Sequence, residues 1–361
     1  MTEDNIFDRL IELLQSSGPV NWRLAQEIGE SLSGTAEPVN PTLAAEYEEL
    51  TRTAALHIAD ASPLEPEAHM VAVHAVDRRG WTAANLRSFR YLVEPIAEKM
   101  GDVPATGPFE AVLRPLGPAL LGMQMGSMVG FMSHRVLGQF DVGLPAVEDA
   151  GIYYVVPNIE AFARDHQLDP QQTRLWVALH EVTHQAEFSV PWVRPQFLRL
   201  IEEYFDGLEL DPSVLQERLE GLDDPEELER MLQNPAGIAG LLSGPEQAEV
   251  LQRIQAFMAV MEGYGDYLMD RAAPQLLPET TRLREAINRR RAEPSQGEQL
   301  LQRLLGLELK RHQYRLGAEF AADVARRWSE EALDHMWQDP ENLPTLTELE
   351  DATGWAARVL L

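Results

Sequence analysis

Residues 169–191, DPQQTRLWVALHEVTHQAEFSVP, decide how the chain is read. Asp169 can cap a helix N-terminus, Pro170 suits the first helical position, and Gln172 stands three residues after the cap. Leu175, Trp176, Ala178 and Leu179 follow at helical spacing, and Pro191 stops the run. The spacing predicts a helix, and within it lies His180-Glu181-Val182-Thr183-His184, an H-E-x-x-H pattern. One turn separates the two histidines, so both imidazoles leave the same face and can reach one Zn2+ at about 2.0–2.1 Å. Glu181 adjoins them and can hold a water as general base. Two histidines hydrogen-bonded inside a core would leave the same short pattern. The apolar flanks LWVAL and AEF, however, predict a buried helix, where His, Glu and His together are costly without partners.

Composition narrows the function classes. The 361 residues can form one large domain or two modest ones, with a sizeable core either way. The chain carries 58 acidic against 30 basic residues, a formal charge of -28. Such a surface repels phosphate backbones and anionic headgroups, so neither nucleic acid nor a membrane surface is an expected partner. There is no cysteine, so any zinc must be held by histidine and carboxylate. The acidic, amphipathic start MTEDNIFDRLIELL does not read as a signal peptide, and the least polar stretch, residues 118–132, is too short to span a bilayer. The expected location is the cytoplasm.

Around the central helix the pattern is mostly helical. Helices are expected over residues 5–15, over 21–33 with Asn21 as cap and Gly34 as stop, and over 41–58. Another is expected from a Thr82 cap to Met100. His57, His69, His74 and His134 form no ligand spacing and read as structural or exposed. Gly122, Gly126 and Gly130 recur every four residues, laying a smooth strip along a helix for a close neighbour. Residues 151–157, GIYYVVP, are the best strand candidate, followed by a short helix near 159–166. Residues 196–206 and 247–272 predict further helices, and the acidic stretch 206–248 between them reads as a helical insertion with loops.

A catalytic zinc needs a third protein ligand beside an open position. The H-E-x-x-H-x-x-G-x-x-H extension is absent, because Glu187 and Val190 stand where Gly and His are required. Glu203 lies nineteen positions after His184, a gluzincin-like spacing, yet its setting LRLIEEYFD reads as a solvated amphipathic face. Glu262 is the better candidate. It follows the apolar run FMAVM, an unfavourable place for a solvated charge. Asp266, one turn on, could accept the outer N–H of a ligating histidine, and Gly263 and Gly265 would admit a close helix. The competing expectation is a buried acid paired with an arginine, such as one from the run at residues 289–291.

The combination LWVALHEVTHQAEF, VPWVRP, MEGYGDYLMD and LLGLELKRHQYRLGAEF resembles the zincin-like metalloprotease family of largely uncharacterised bacterial hydrolases. The similarity runs from GPVNWRLAQEI near residue 18 to ENLPTL near residue 345. It implies a zincin-like α+β fold, His180 and His184 as ligands, Glu181 as base and Glu262 as the glutamate ligand. It names no substrate.

In the stretch 304–320, Tyr314 or His312 could donate to the oxyanion of a tetrahedral intermediate, or the segment could be a solvated basic face. The expected protein is a mainly helical α+β chain with a small β-sheet, folded as one integrated domain over residues 1–361. Its helical N-terminal part covers about 1–110 and its metal-site core about 111–361. The expected activity is zinc-dependent hydrolysis of an amide bond in a peptide or protein. The alternative is a non-catalytic metal-binding or interaction protein that retains a zincin core.

Overall fold

The computed structural model describes residues 18–64, 72–102, 110–142, 151–207, 245–291 and 311–361. The chain begins with α1 (Trp22–Leu32) and α2 (Pro41–Ala61). Asn21 caps α1 by accepting from the Leu24 amide at 3.0 Å, as its short side chain allows, and Gly34 follows in the left-handed region at φ 90°. A strand, β1 (Val73–Val76), precedes α3 (Arg78–Ser88), α4 (Arg90–Asp102) and the long α5 (Glu110–Met132).

The strand candidate forms β2 (Ile152–Val155), which pairs with β1 in a two-stranded parallel sheet, Val73 opposite Ile152 and Val76 opposite Val155. Parallel strands need a crossover, which α3, α4 and α5 supply. After β2 come α6 (Val156–Asp165), α7 (Pro170–Ser189) and α8 (Val193–Asp206). Then follow α9 (Pro245–Leu276), α10 (Thr280–Arg291) and α11 (Arg311–Arg327), and three short helices to Val359. The fold is therefore mainly helical α+β with a small sheet, as the sequence pattern implies. The expected helix at residues 5–15 and most of the acidic stretch lie outside the described residues.

Two local readings need correction. Thr82 is not a cap: α3 starts earlier, with Asp77 accepting from the Gly80 amide at 2.8 Å. Thr82 is instead buried, its hydroxyl 2.7 Å from that of Ser33. The single helix expected to Met100 is also divided, α3 ending at Ser88 and α4 starting at Arg90. Strand β1 gave no signal in the sequence, being only four residues, all of intermediate burial.

The glycine strip on α5 does meet a helix. A side chain at Gly126 would press on the backbone of Ala25, and one at Gly122 on Asn21, both belonging to the start of α1. Buried apolar side chains run in one cluster from Val20 to Ala356. Within it α7 is central: from Trp176 to Phe188 every residue except His180 is buried. Helix α2 and helix α9 pack along α7, and α6, α8 and β2 complete its surroundings. A helix covered on all sides has no solvated face to which a polar side chain could turn. That is what makes Glu181, His184 and Glu187 unusual.

Candidate metal centre

Helix α7 sets the geometry from its first residue. Asp169 accepts from the Gln172 amide at 2.8 Å and Pro170 fills the first turn, fixing the register of everything downstream. His180 and His184 then lie one turn apart, with ring centroids 4.6 Å apart and planes nearly perpendicular at 83°. His180 is half-buried and is the more accessible of the two; His184 is buried, and its Nε2 has no hydrogen-bond partner. Its Nδ1 donates to Glu187 Oε2 at 2.8 Å. A carboxylate on Nδ1 favours the tautomer with its proton there, in which the Nε2 lone pair is the one that can bind a metal.

Glu181 is fully buried. One carboxylate oxygen, Oε2, accepts the Phe140 amide at 2.9 Å, while Oε1 has no partner. The loop that offers this amide is firmly held. Asn158 donates to the carbonyls of Ser133 and Val136 at 2.7 Å each, and Asp141 accepts the Leu137 amide at 2.7 Å. Gly138 forms an isolated antiparallel bridge with Tyr154, which ties the loop to β2. A side chain at Gly138 would fall on the Glu181 carboxyl group, so glycine keeps the space that this carboxylate occupies. Gly138→Ala is expected to displace Glu181 and lower any hydrolytic turnover at least tenfold. Its thermal unfolding midpoint should move by only a few degrees. Parallel turnover and unfolding measurements check this; undiminished turnover would show that the Glu181 position is immaterial.

Burial dominates the electrostatics. It raises Glu181 to about 8, the Phe140 and Gln139 amides only partly opposing it. Burial alone would depress His184, yet the Glu187 carboxylate on its Nδ1, with Glu262 nearby, pushes it up to about 9. Glu187 is raised to about 7 for the same reason of desolvation, and Glu262 is raised too. His180 falls well below the usual imidazole value through burial and the positive charge of His184. Opposing shifts on neighbouring groups are the pattern expected where protons are exchanged near neutral pH.

Glu262 comes from α9 and is buried. Gly265, three residues on and so on the same helix face, lies against His184: a Cβ there would sit 3.3 Å from Cε1 and 3.7 Å from Nε2. The other glycine, Gly263, faces α11, where a Cβ would stand 2.5 Å from Gly317 Cα. Thus α9 is clamped between α7 and α11 with Glu262 toward His184. Glu262 is nevertheless paired: Arg291 Nη2 is 3.7 Å from its Oε2, and Arg291 Nη1 is 3.3 Å from Asp266 Oδ1. The arginine partner expected from the 289–291 run is therefore present.

The remaining candidates sort clearly. Asp266 engages Arg291, and the carboxylate on the histidine is Glu187, which the sequence reading did not select. Its signal was an acid between Ala186 and Phe188, one turn past His184. Glu203 is more than a third exposed and pairs with Arg253 and Arg199, so it lies on the surface of α8. Tyr314 belongs to α11 by backbone, but its side chain, like that of His312, lies outside the described residues.

The donors suit zinc in type: two imidazoles, one with a free buried Nε2 and a carboxylate behind it, and a buried glutamate on the facing helix. Among the described residues, however, no three such side chains are drawn together tightly enough to hold an ion. Glu262 lies with Arg291 instead.

The zincin-like metallopeptidase family matches residues 20–356. The chain belongs to that family. A solved structure from Chloroflexus aurantiacus, described as "a putative hydrolase with a novel fold", is 30% identical with a TM-score of 0.70. The match covers 94% of this chain and 98% of that one. Among curated proteins nothing matches. Within this zincin-like protein no described helix is long and apolar enough to cross a membrane.

Proposed function

We propose that this family member is a zinc-dependent hydrolase that cleaves an amide bond in a peptide or protein. The observation that carries the reading is the pair of buried, unpartnered atoms on one turn of α7, His184 Nε2 and Glu181 Oε1, in a zincin-like chain. His180, His184 and Glu262 would hold the ion. Zinc bound there would polarise a carbonyl and make a neighbouring water more acidic.

The chain's own residues then do the following. Glu187 keeps the His184 proton on Nδ1 and orients the ring. The Phe140 amide fixes one oxygen of Glu181 and leaves the other to take a proton. Burial raises Glu181 to about 8, so the carboxyl can both accept a proton from water and return it to a departing amine near neutral pH. The Arg291–Glu262 contact favours the second reading, a non-catalytic protein that retains a zincin core.

Elemental analysis of chelator-free protein separates the two. About one zinc per chain is expected, lost in both His180→Ala and Glu262→Ala. Zinc retained in Glu262→Ala would remove that residue from the ligand set. A wild type that takes up no zinc when supplied with it would refute the hydrolase reading and favour the second.

A further inference from the structure

Helix α10 buries Leu283, Ala286 and Ile287 and ends at the candidate metal centre with two arginines that point in different directions. Arg290 turns to the loop that carries the Phe140 amide: its Nη1 is 3.1 Å from Asp141 Oδ1. Arg135 of the same loop donates to the Arg290 carbonyl at 2.8 Å. Burial alone would raise Asp141, but the charge and hydrogen bonds of Arg290, with the Leu137 amide, outweigh it and lower its pKa to about 2, so this anchor stays ionised at neutral pH. With the helix end locked on that side, Arg291 projects to α9, where Glu262 and Asp266 stand one turn apart and share its guanidinium.

We propose that Arg291 is the counter-cation that Glu262 exchanges for a metal ion, with Asp266 receiving the guanidinium. The proposal rests on the zinc reading above and deepens it. Three features support it. A guanidinium stays charged under all conditions, so Glu262 has a positive partner beside it while no metal is held. The contact to Glu262, at 3.7 Å, is longer than a hydrogen bond and can be given up, whereas that to Asp266 is shorter at 3.3 Å. The positive charge of Arg291 also acts on His180, so it opposes a second cation at the imidazoles for as long as it stays on Glu262. The spacing of Glu262 and Asp266 is thus a two-position rest for one arginine, and it sets how tightly the site holds metal.

The test is the zinc dissociation constant of the full chain, by competition with a chromophoric chelator at fixed pH and salt. Four variants are compared, each checked by thermal unfolding. Arg291→Met keeps the aliphatic stem without the charge and is expected to bind zinc at least tenfold tighter, with a less stable metal-free form. Asp266→Asn removes the alternative rest and is expected to weaken binding several-fold. Arg291→Lys retains the charge and should stay within about threefold of wild type. Arg289→Met removes an exposed arginine of the same run and should change nothing. Unchanged or weaker binding in Arg291→Met, with wild type binding normally, overturns the exchange and leaves the zinc reading standing. Zinc bound by Arg291→Met but not by wild type overturns both the exchange and the zinc reading, because the wild-type arginine would then never give Glu262 up to a metal. If neither binds, both the exchange and the zinc reading are overturned. Should Arg291→Met fail to fold, the weakening expected in Asp266→Asn decides alone.

Discussion

Glu181→Gln is expected to lower amide hydrolysis by about 10²–10⁴-fold while zinc stoichiometry stays unchanged, because it removes the proton acceptor and no ligand. The amide can keep the Phe140 N–H bonded to its carbonyl, so the loop has no reason to move. Stability should respond in the opposite sense to activity. Burial raises Glu181 to about 8 from an ordinary 4.5, so between these values the folded metal-free protein holds a proton that the unfolded chain has released. The stability tied to that proton is complete below pH 4.5 and is lost as pH rises to about 8, at roughly 1.4 kcal/mol per pH unit. Glutamine does not titrate. The metal-free variant should therefore unfold at a higher temperature than wild type, by a margin that widens from pH 5 to pH 8. Turnover on a peptide library, zinc content and unfolding scans at several pH values check the three parts. Turnover kept in Glu181→Gln would remove Glu181 as base, and a margin independent of pH would show that its carboxyl is not desolvated.

Gly263→Val is expected to cost about 3 kcal/mol of stability. The atoms a side chain would strike are the backbone of α11, Gly317 Cα and Ala318 N at 2.5 Å, and a backbone cannot swing aside as a long side chain can. Helix α9 must shift, and Glu262 is the residue immediately before Gly263. Zinc affinity should fall with stability, by more than tenfold where the variant remains folded. Urea unfolding of the metal-free chain, followed by zinc titration at low temperature, measures both. Unaltered stability would mean that α9 and α11 do not meet as described.

Much of α7 was legible in the sequence because its signals are local. The Asp169 cap, Pro170 at the first turn and the one-turn spacing of His180 and His184 follow from helical period alone, and all are present. The glycine strip of α5 and the Asn21 cap were legible for the same reason. Strand β1 was not: four residues of intermediate burial owe their conformation to β2, more than seventy positions away. Thr82 misled because a hydroxyl before a helical run resembles a cap whether it faces an amide or the core.

At the site the division is sharper. The sequence determined that two imidazoles and a carboxylate share one turn of a helix, and that a buried acid, Glu262, lies in another. It also left Arg291 open as a partner for that acid. Only the tertiary structure decided which carboxylate serves the histidine. Glu187 stands three residues after His184 in plain view, but an acid on a helix ordinarily turns to water. The packing of α2, α6, α8, α9 and β2 around α7 removes that water and leaves Nδ1 of His184 as its partner. Asp266 keeps partial exposure on α9 and is drawn instead to the guanidinium of Arg291, which α10 brings across. Helical period fixes which side chains neighbour one another along a helix, while burial and helix packing fix the direction in which a charged one must turn.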